Sequence, residues 1–383
     1  MRYFLLAIAL VLPLRASAAT PEYLLFNVFI GNIASNGTYS QTLTPSQINT
    51  FAENVVSTVQ VSPPVANRIL GIDVGPISMD QGAAGAVASI DEAFSIALAH
   101  NLAVSIHLDD RMFWINAAFP DGASLLATPG TAEWTDWNGN PAPPLSIGWI
   151  SATNLAPQMC YDSPAVQAWT QYWLSGVIGP AIEAGYQNLV NAGKPQLFAG
   201  VFSGWESNIV YGYCSLRNLG YSASAPPANF DTAVETVLQA HISLWSQYLS
   251  EAGIPTSKIY THEAWPTLEP FAAFNSYSQT GWTNYNWPDS FDEIYSTVGS
   301  NRWVQAEGSN VVLSDSCVGA CPSPYSWENY LAASYNHGAS LVNIFGAFQD
   351  QPGAFALAQG PQAVAAYKQF LQGAALIESS PIP

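Results

Sequence analysis

LFAGVFSGWESN, residues 197–208, is an apolar run that ends abruptly in polar residues. Leu197 to Ser203 has the length and the Leu/Phe/Val content of a buried strand. Gly204, Trp205, Glu206, Ser207 and Asn208 follow it and open a loop. The same build recurs on both sides. Leu24 to Gly31 (LLFNVFIG), Asn67 to Val74 (NRILGIDV) and Leu102 to Leu108 (LAVSIHL) precede it, and Lys258 to His262 (KIYTH), Arg302 to Ala306 (RWVQA) and Leu341 to Phe348 (LVNIFGAF) follow. Helical patterns lie between them, among them Ile90–Leu98, Val166–Ile178 and Thr232–Ala252. Strands alternating with helices point to βα units and a parallel sheet. Seven strands can be placed. A further one, sixth in order, is expected between Phe271 and Asp292, and eight close a (β/α)8 barrel. A doubly wound open sheet is the other arrangement with this alternation.

The ends and the composition set limits on function. Arg2, the apolar run Phe4–Leu14 and the small residues Ala16-Ser17-Ala18 have the form of a signal peptide. Residues 1–18 are therefore set aside as a leader, and 19–383 are expected to form a single barrel domain with long βα loops. Export to an extracytoplasmic space, secreted or periplasmic, follows. No later stretch reads as a membrane helix. The chain has 9 Lys and Arg against 27 Asp and Glu, a net charge of −18; losing Arg2 and Arg15 with the leader leaves 7 against 27, or −20. A field of that sign disfavours nucleic acid and anionic polymers and suits a neutral substrate. Charged residues make up only 9% of the chain, so little charge accumulates as pH falls, which is compatible with work in acid. Four cysteines in an exported chain suggest two disulfides. Cys317 and Cys321 are near enough to staple one loop, and Cys160 with Cys214 would join two. Asn36-Gly37-Thr38 is a glycosylation sequon if the host is eukaryotic. Oligomeric state is not legible.

Polar residues gather where strands end. Asp73 ends the second. His107, Asp109, Asp110 and Arg111 end the third, followed by Trp114 at the start of a long Pro-, Gly- and Trp-rich loop (Phe113–Ser163) of the kind that usually carries function. Glu206 ends the fourth, His262-Glu263-Ala264-Trp265 the fifth, and Glu307-Gly308-Ser309 the seventh. In a parallel barrel these ends share the face that holds the active site. Glycosidic cleavage requires two carboxyl groups, one to protonate the leaving oxygen and one to attack the anomeric carbon or activate water. Glu206 and Glu307 are each the first acid after an apolar strand, and bases that would neutralise them are scarce. Glu263 is a competitor for either place. Asp73, Asp109, Asp110, Arg111, Trp114, Trp205, His262, Glu263 and Trp265 are the candidate sugar-binding residues. The loop and strand-end tryptophans Trp134, Trp137, Trp149, Trp282 and Trp287 could also offer flat faces to sugar C–H groups.

This arrangement resembles clan A of the glycoside hydrolases, whose (β/α)8 barrels carry an acid/base Glu after strand four and a nucleophile Glu after strand seven. The resemblance implies Glu206 as acid/base, Glu307 as nucleophile, retention of anomeric configuration, no cofactor, and an oligo- or polysaccharide as partner. It departs at Trp205, where the clan usually has Asn before the acid/base Glu. Three alternatives remain: an inverting glycosidase with the same carboxylates, a non-catalytic carbohydrate-binding barrel, and a metal-dependent hydrolase using His107 and Asp109.

Overall fold

The computed structural model describes residues 20–33, 39–42, 44–145, 155–265, 274–284, 296–299, 301–309, 327–345 and 360–377. The expected leader (1–18), the sequon at Asn36, Cys317, Cys321, Trp149 and Trp287 lie outside these residues, as does the side chain of Trp265. The strands are β1 (Glu22–Phe29), β2 (Arg68–Ile77), β3 (Ala103–Leu108), β4 (Phe198–Phe202), β5 in two pieces (Ile259–Tyr260 and Glu263–Trp265), β6 (Thr280–Asn284), β7 (Trp303–Ser309) and β8 (Ala339–Phe345).

In the barrel sheet all neighbouring pairs are parallel and follow chain order, and β8 closes on β1 through Tyr23↔Leu341 to Phe26↔Ile344; a separate antiparallel pair, Gly31–Ile33 with Tyr39–Thr42, stands outside it. The first piece of β5 pairs with β4 (Phe202↔Tyr260) and the second with β6 (Glu263↔Trp282). Between them Thr261 N–H donates to Gln279 O at 3.0 Å, and Ser207 N–H donates to His262 O at 3.0 Å. Counting the two pieces as one strand, the nine segments of the sheet form eight strands of a barrel. The expected (β/α)8 architecture is therefore the observed one, and the sixth strand lies inside the window predicted for it.

The helices are α1 (Pro45–Val59), α2 (Gly82–His100), α3 (Pro164–Trp173), α4 (Gly179–Asn191), α5 (Tyr213–Asn218), α6 (Phe230–Glu251), α7 (Trp327–Asn336) and α8 (Pro361–Leu371). A π-helical turn, Leu174–Ile178, joins α3 to α4. Strand residues alternate between two cores. Leu24, Phe26 and Val28 face the helices in the large outer core. Tyr23 and Leu25 point the other way, into a smaller cluster with Ala103, Phe202, Tyr260, Val304 and Leu341 that fills the barrel interior.

One expectation requires correction. The segment Met79–His100, which contains α2, is long and apolar enough by length and composition to cross a membrane. Its Ile90, Ala93, Phe94 and Ala97 are buried in the outer core, where it packs on β2, β3, α1 and α4 as a barrel helix.

The long loop after β3 is held from within and from outside. Cys160 and Cys214 form a disulfide with Cα atoms 5.6 Å apart, joining this loop to the loop after β4. Beside it, the Glu133 carboxylate caps the start of α5, accepting from Cys214 N–H, Ser215 N–H and, at 2.8 Å, Ser215 Oγ–H. The bridge closes a sequence separation of 54 residues. On the loop-entropy account its removal is expected to cost about 4 kcal/mol of stability. Denaturant unfolding of a Cys160→Ser/Cys214→Ser variant beside the wild type measures this. Equal midpoints would mean that Glu133 alone fixes the loop pair.

Candidate active site

The barrel interior becomes polar toward the C-terminal ends of its strands. Asp73, on β2, sits among donors: Asn27 Nδ2–H (2.8 Å) and Asn343 Nδ2–H (2.7 Å) donate to Oδ2, and Ser105 Oγ–H (2.5 Å) donates to Oδ1. His107 Nδ1 lies 2.8 Å from Asp73 Oδ2. The other nitrogen of His107, Nε2, lies 2.7 Å from His262 Nδ1, and His262 Nε2 lies 2.5 Å from Thr283 Oγ1. Trp205 and Phe202 stack on the His107 ring with centroids at 4.0 and 4.5 Å. Burial, the neighbouring His107 and the Arg111 charge hold the His262 imidazole well below its ordinary pKa, so it is neutral.

Above this column the two expected carboxylates converge. One carboxylate oxygen of Glu206, one of Glu307 and one ring nitrogen of His262 all lie within 4.8 Å of one another. Glu307 is buried on β7 and Glu206 is half-buried. A register shift at Gln305/Glu307 bends β7 just before the acid. Bulges of this kind re-aim side chains at barrel rims. Gln305 Nε2–H steadies the bend by donating to the Glu307 carbonyl at 2.7 Å. The next residue is Gly308, where a Cβ would overlap the Tyr330 hydroxyl.

Glu206 has φ 49°, one of two non-glycine residues in the left-handed region among the described residues; the other, Asn101, terminates α2. A charged side chain held there marks a turn imposed by its surroundings. Those surroundings are identifiable. Asp110 Oδ1 accepts from Trp205 N–H at 3.1 Å, and Oδ2 accepts from Ser207 Oγ–H at 2.7 Å and from His241 Nε2 at 3.1 Å. These contacts bracket Glu206 on both sides. Arg111 adds Nη1–H to Asn208 Oδ1 at 2.9 Å and a long Nε–H contact to Trp205 O at 3.4 Å. Tyr161 donates to Asn208 O at 2.9 Å and stacks on His241 with centroids at 3.7 Å. His241 and Ser207, followed by Trp205 N–H, hold the Asp110 carboxylate below the usual range in spite of its burial.

The predicted sugar-binding residues thus separate. Asp73 and His262 belong to the buried column beneath the carboxylate pair. Asp110 and Arg111 shape the Glu206 turn, and neither aspartate makes an ion pair with Arg111. Asp109 is turned inward: its oxygens accept the backbone N–H groups of Arg111, Met112 and Phe113 at 3.2, 2.9 and 2.6 Å. Trp114 and Trp205 are 0% and 1% exposed, so neither offers a face to a sugar in this structure. The Trp114 indole N–H is occupied by Pro157 O at 2.9 Å. Trp282 is likewise core, and Trp134 and Trp137 are half-buried. Glu263 is buried with no hydrogen-bond partner among the described residues, and it lies outside the Glu206–His262–Glu307 cluster. Asn27, Ser105, His241, Thr283 and Asn343 were not anticipated. For Asn27 and Asn343 a signal existed, since each interrupts an apolar strand (LLFNVF, LVNIF) where only a satisfied polar group is tolerated.

No protein-family model matches this chain, and no curated protein matches it. Solved structures do. The β-amylase catalytic domain from Paenibacillus polymyxa superposes with a TM-score of 0.51 at 9% identity, covering 92% of this chain and 99% of that one. The catalytic domain of a family 26 endo-β-1,4-mannanase from a Bacillus species gives 0.46 at 10% identity, covering 91% and 85%. A broad-specificity family 5 endoglucanase from an uncultured bacterium gives 0.44 at 9% identity, covering 91% and 93%. What is shared is the fold. The chain has the (β/α)8 barrel on which glycoside hydrolase catalytic domains are built, and the resemblance read from its strand ends holds at that level.

Two buried carboxyl groups, Asp109 and Glu263, and the half-buried Asp80 give the fold a pH dependence of defined sign above the ordinary histidine range. Burial pushes Asp109 up to about 7, against its three backbone N–H donors. It pushes Asp80 up to about 6 and Glu263 well above the usual carboxyl value. Each group binds a proton more tightly folded than unfolded, so its stabilisation is complete below its unfolded value, about 4, and fades as pH rises toward the folded value. His262, held neutral in the fold, acts in the opposite direction below its unfolded value of about 6.5, so the unfolding midpoint is expected to fall as pH rises from about 6.5 to about 7.5. Thermal scans across that window measure it, and a midpoint that climbs instead would show that these sites are hydrated or paired.

Proposed function

We propose that this chain is an exported glycoside hydrolase that cleaves O-glycosidic bonds of a neutral glycan with retention of configuration. Glu206 acts as acid/base and Glu307 as nucleophile. The observation that carries this proposal is the approach of the Glu206 and Glu307 carboxylates to within 4.8 Å. Retaining enzymes hold their two carboxyl groups about 5 to 5.5 Å apart, whereas inverting enzymes leave roughly 6.5 to 9.5 Å for a water. A single oxygen-to-oxygen approach within 4.8 Å is compatible with direct attack. The burial of the two groups suits the two roles. Glu307, enclosed and fixed on a strand, attacks the anomeric carbon to form a glycosyl ester. Glu206, half-buried on its turn, gives a proton to the leaving oxygen and then takes one from the water that opens the ester.

The metal-dependent alternative finds less support. His107 and Asp109 do not share a cluster, because Asp109 is engaged by backbone N–H groups. The ligand types at Glu206, His262 and Glu307 would suit a divalent ion. Both ring nitrogens of His262, however, are already hydrogen-bonded, to His107 and Thr283. A metal would have to break a buried bond to reach either. A non-catalytic sugar-binding barrel has no need for a strained Glu206 beside a second carboxylate. The Cys160–Cys214 bridge supports an oxidising, extracytoplasmic location.

A screen of polysaccharides and aryl glycosides tests the proposal. Hydrolysis is expected, with the first-formed sugar carrying the substrate's anomeric configuration by proton NMR and with no loss to a chelator. An inverted product would replace the mechanism, chelator-sensitive hydrolysis would move the chemistry to a metal, and binding without hydrolysis would remove the enzyme.

A further inference from the structure

We propose that residues 158–161, near the end of the long loop after β3, form a clamp that positions the acid/base Glu206, with Tyr161 as its positioning residue. The catalytic consequence rests on the glycosidase reading; the hold on the turn does not.

These consecutive residues, QMCY, hold the chain that leaves Glu206 at three points. Tyr161 Oη–H donates to Asn208 O at 2.9 Å, Gln158 Oε1 accepts from Val210 N–H at 2.6 Å, and Cys160 is bonded to Cys214. The clamp is fixed to its own loop in turn. Cys160 N–H donates to Thr131 O, and Gln158 O accepts from Glu133 N–H, both at 2.8 Å. Gln158, Met159, Cys160, Tyr161 and Cys214 are at most 3% exposed, so water is not at hand to replace a lost contact.

Tyr161 is where the clamp meets the other support of the turn. Burial, and then the Asp110 charge, push its phenol well above its ordinary pKa, so it stays a donor to Asn208. Its ring stacks on His241, whose Nε2 lies 3.1 Å from Asp110 Oδ2. Asp110 in turn holds Trp205 N–H and Ser207 Oγ–H. The turn is thus gripped from two sides, by Asp110 at 205 and 207 and by the clamp from 208 onward. A side-chain-bearing residue with φ 49° needs such a grip, because its own preference lies in another region. Glu307 rides instead on β7 and its bulge. Loosening the clamp therefore displaces the acid/base and leaves the nucleophile in place. A displaced acid slows the departure of a leaving oxygen that needs a proton, and does not slow that of an acidic phenol. Tyr161 acts through Glu206 and does not itself bond to the sugar.

Tyr161→Phe removes the hydroxyl and keeps the ring on His241. Its kcat/KM, which reports the steps up to the glycosyl ester, is compared with that of the wild type over aryl glycosides of graded phenol acidity. The ratio of kcat/KM for the least acidic phenol to that for the most acidic one is expected to fall about tenfold. A merely structural role would lower the folded fraction and scale every substrate by one factor, leaving the ratio unchanged. An unchanged ratio therefore rejects the proposal. Hydrogen exchange read by mass spectrometry tests the hold on the turn without turnover. Peptides spanning 204–211 should exchange faster in Tyr161→Phe than in the wild type, with peptides from β2 and β8 unaltered. Equal exchange at 204–211, or faster exchange throughout the barrel, also rejects it. If Tyr161→Phe does not fold, Gln158→Met, which removes the acceptor of Val210 N–H, is read in the same two ways. A wild type that hydrolyses no glycoside would count against the glycosidase, and the exchange comparison would still decide whether the clamp holds the turn.

Discussion

Glu307→Gln is expected to lower kcat on the hydrolysed glycan by at least about 10³-fold, because the amide neither attacks the anomeric carbon nor leaves as a carboxylate. Glu206→Gln should behave differently, and the difference is diagnostic. A polysaccharide needs its leaving oxygen protonated, so loss of the acid should cost about 10²- to 10⁴-fold. An aryl glycoside with an acidic phenol leaves unaided. Its glycosyl ester should then accumulate for want of a base, and both kcat and KM should fall. Steady-state kinetics on the two substrate types, with sugar binding checked by calorimetry, measure this pattern. The oxygens of the pair approach within 4.8 Å, so neither variant should need any backbone movement to fold. Comparable turnover in Glu307→Gln would dismiss the carboxylate pair and turn attention to His262.

Asp110→Ala is the second large effect, and it joins stability to catalysis. The Asp110 carboxylate is buried and accepts from Trp205 N–H, Ser207 Oγ–H and His241 Nε2. Truncation leaves a backbone donor, a hydroxyl and an imidazole without their acceptor in a dry site, for which about 3 kcal/mol is expected. The same contacts hold the turn on both sides of Glu206, so kcat should fall by more than tenfold even where the variant is folded. KM should change less, since Asp110 does not line the mouth. Denaturant unfolding and Michaelis kinetics on Asp110→Ala and Asp110→Asn check both parts. The Asn variant keeps one acceptor and should recover part of each loss. A folded Asp110→Ala enzyme with wild-type kcat would show that Glu206 keeps its backbone conformation without help.

The barrel was legible because its strands are apolar on both faces, and alternating them with helices admits few topologies. β6 escaped placement because TGWTN is short and three of its five residues, Thr280, Thr283 and Asn284, are polar. It earns its place only by pairing on both sides, a long-range condition. The acids at 206 and 307 were legible for a related reason, since strand ends in a barrel meet whatever their separation in sequence. The supporting shell was not. Asn343 reaches Asp73 across 270 residues and His241 reaches Asp110 across 131, and no local pattern announces such contacts. Trp205 and Trp114 misled because a tryptophan beside a catalytic loop can serve as floor as well as wall. Here they pack beneath His107 and against the Pro157 carbonyl. The two aspartates after β3 were expected to bind sugar because they follow a strand end, whereas the fold turns both inward.

The left-handed backbone at position 206 sets a limit on how this protein could be improved by stability alone. Glycine adopts φ 49° freely, while a residue with a side chain is disfavoured there by roughly 1 to 2 kcal/mol. Any selection or design that rewards only a tighter fold would drift toward glycine at the one place where the proposed chemistry requires a carboxylate. The conformation of a single residue thus separates what is best for the scaffold from what is best for the reaction.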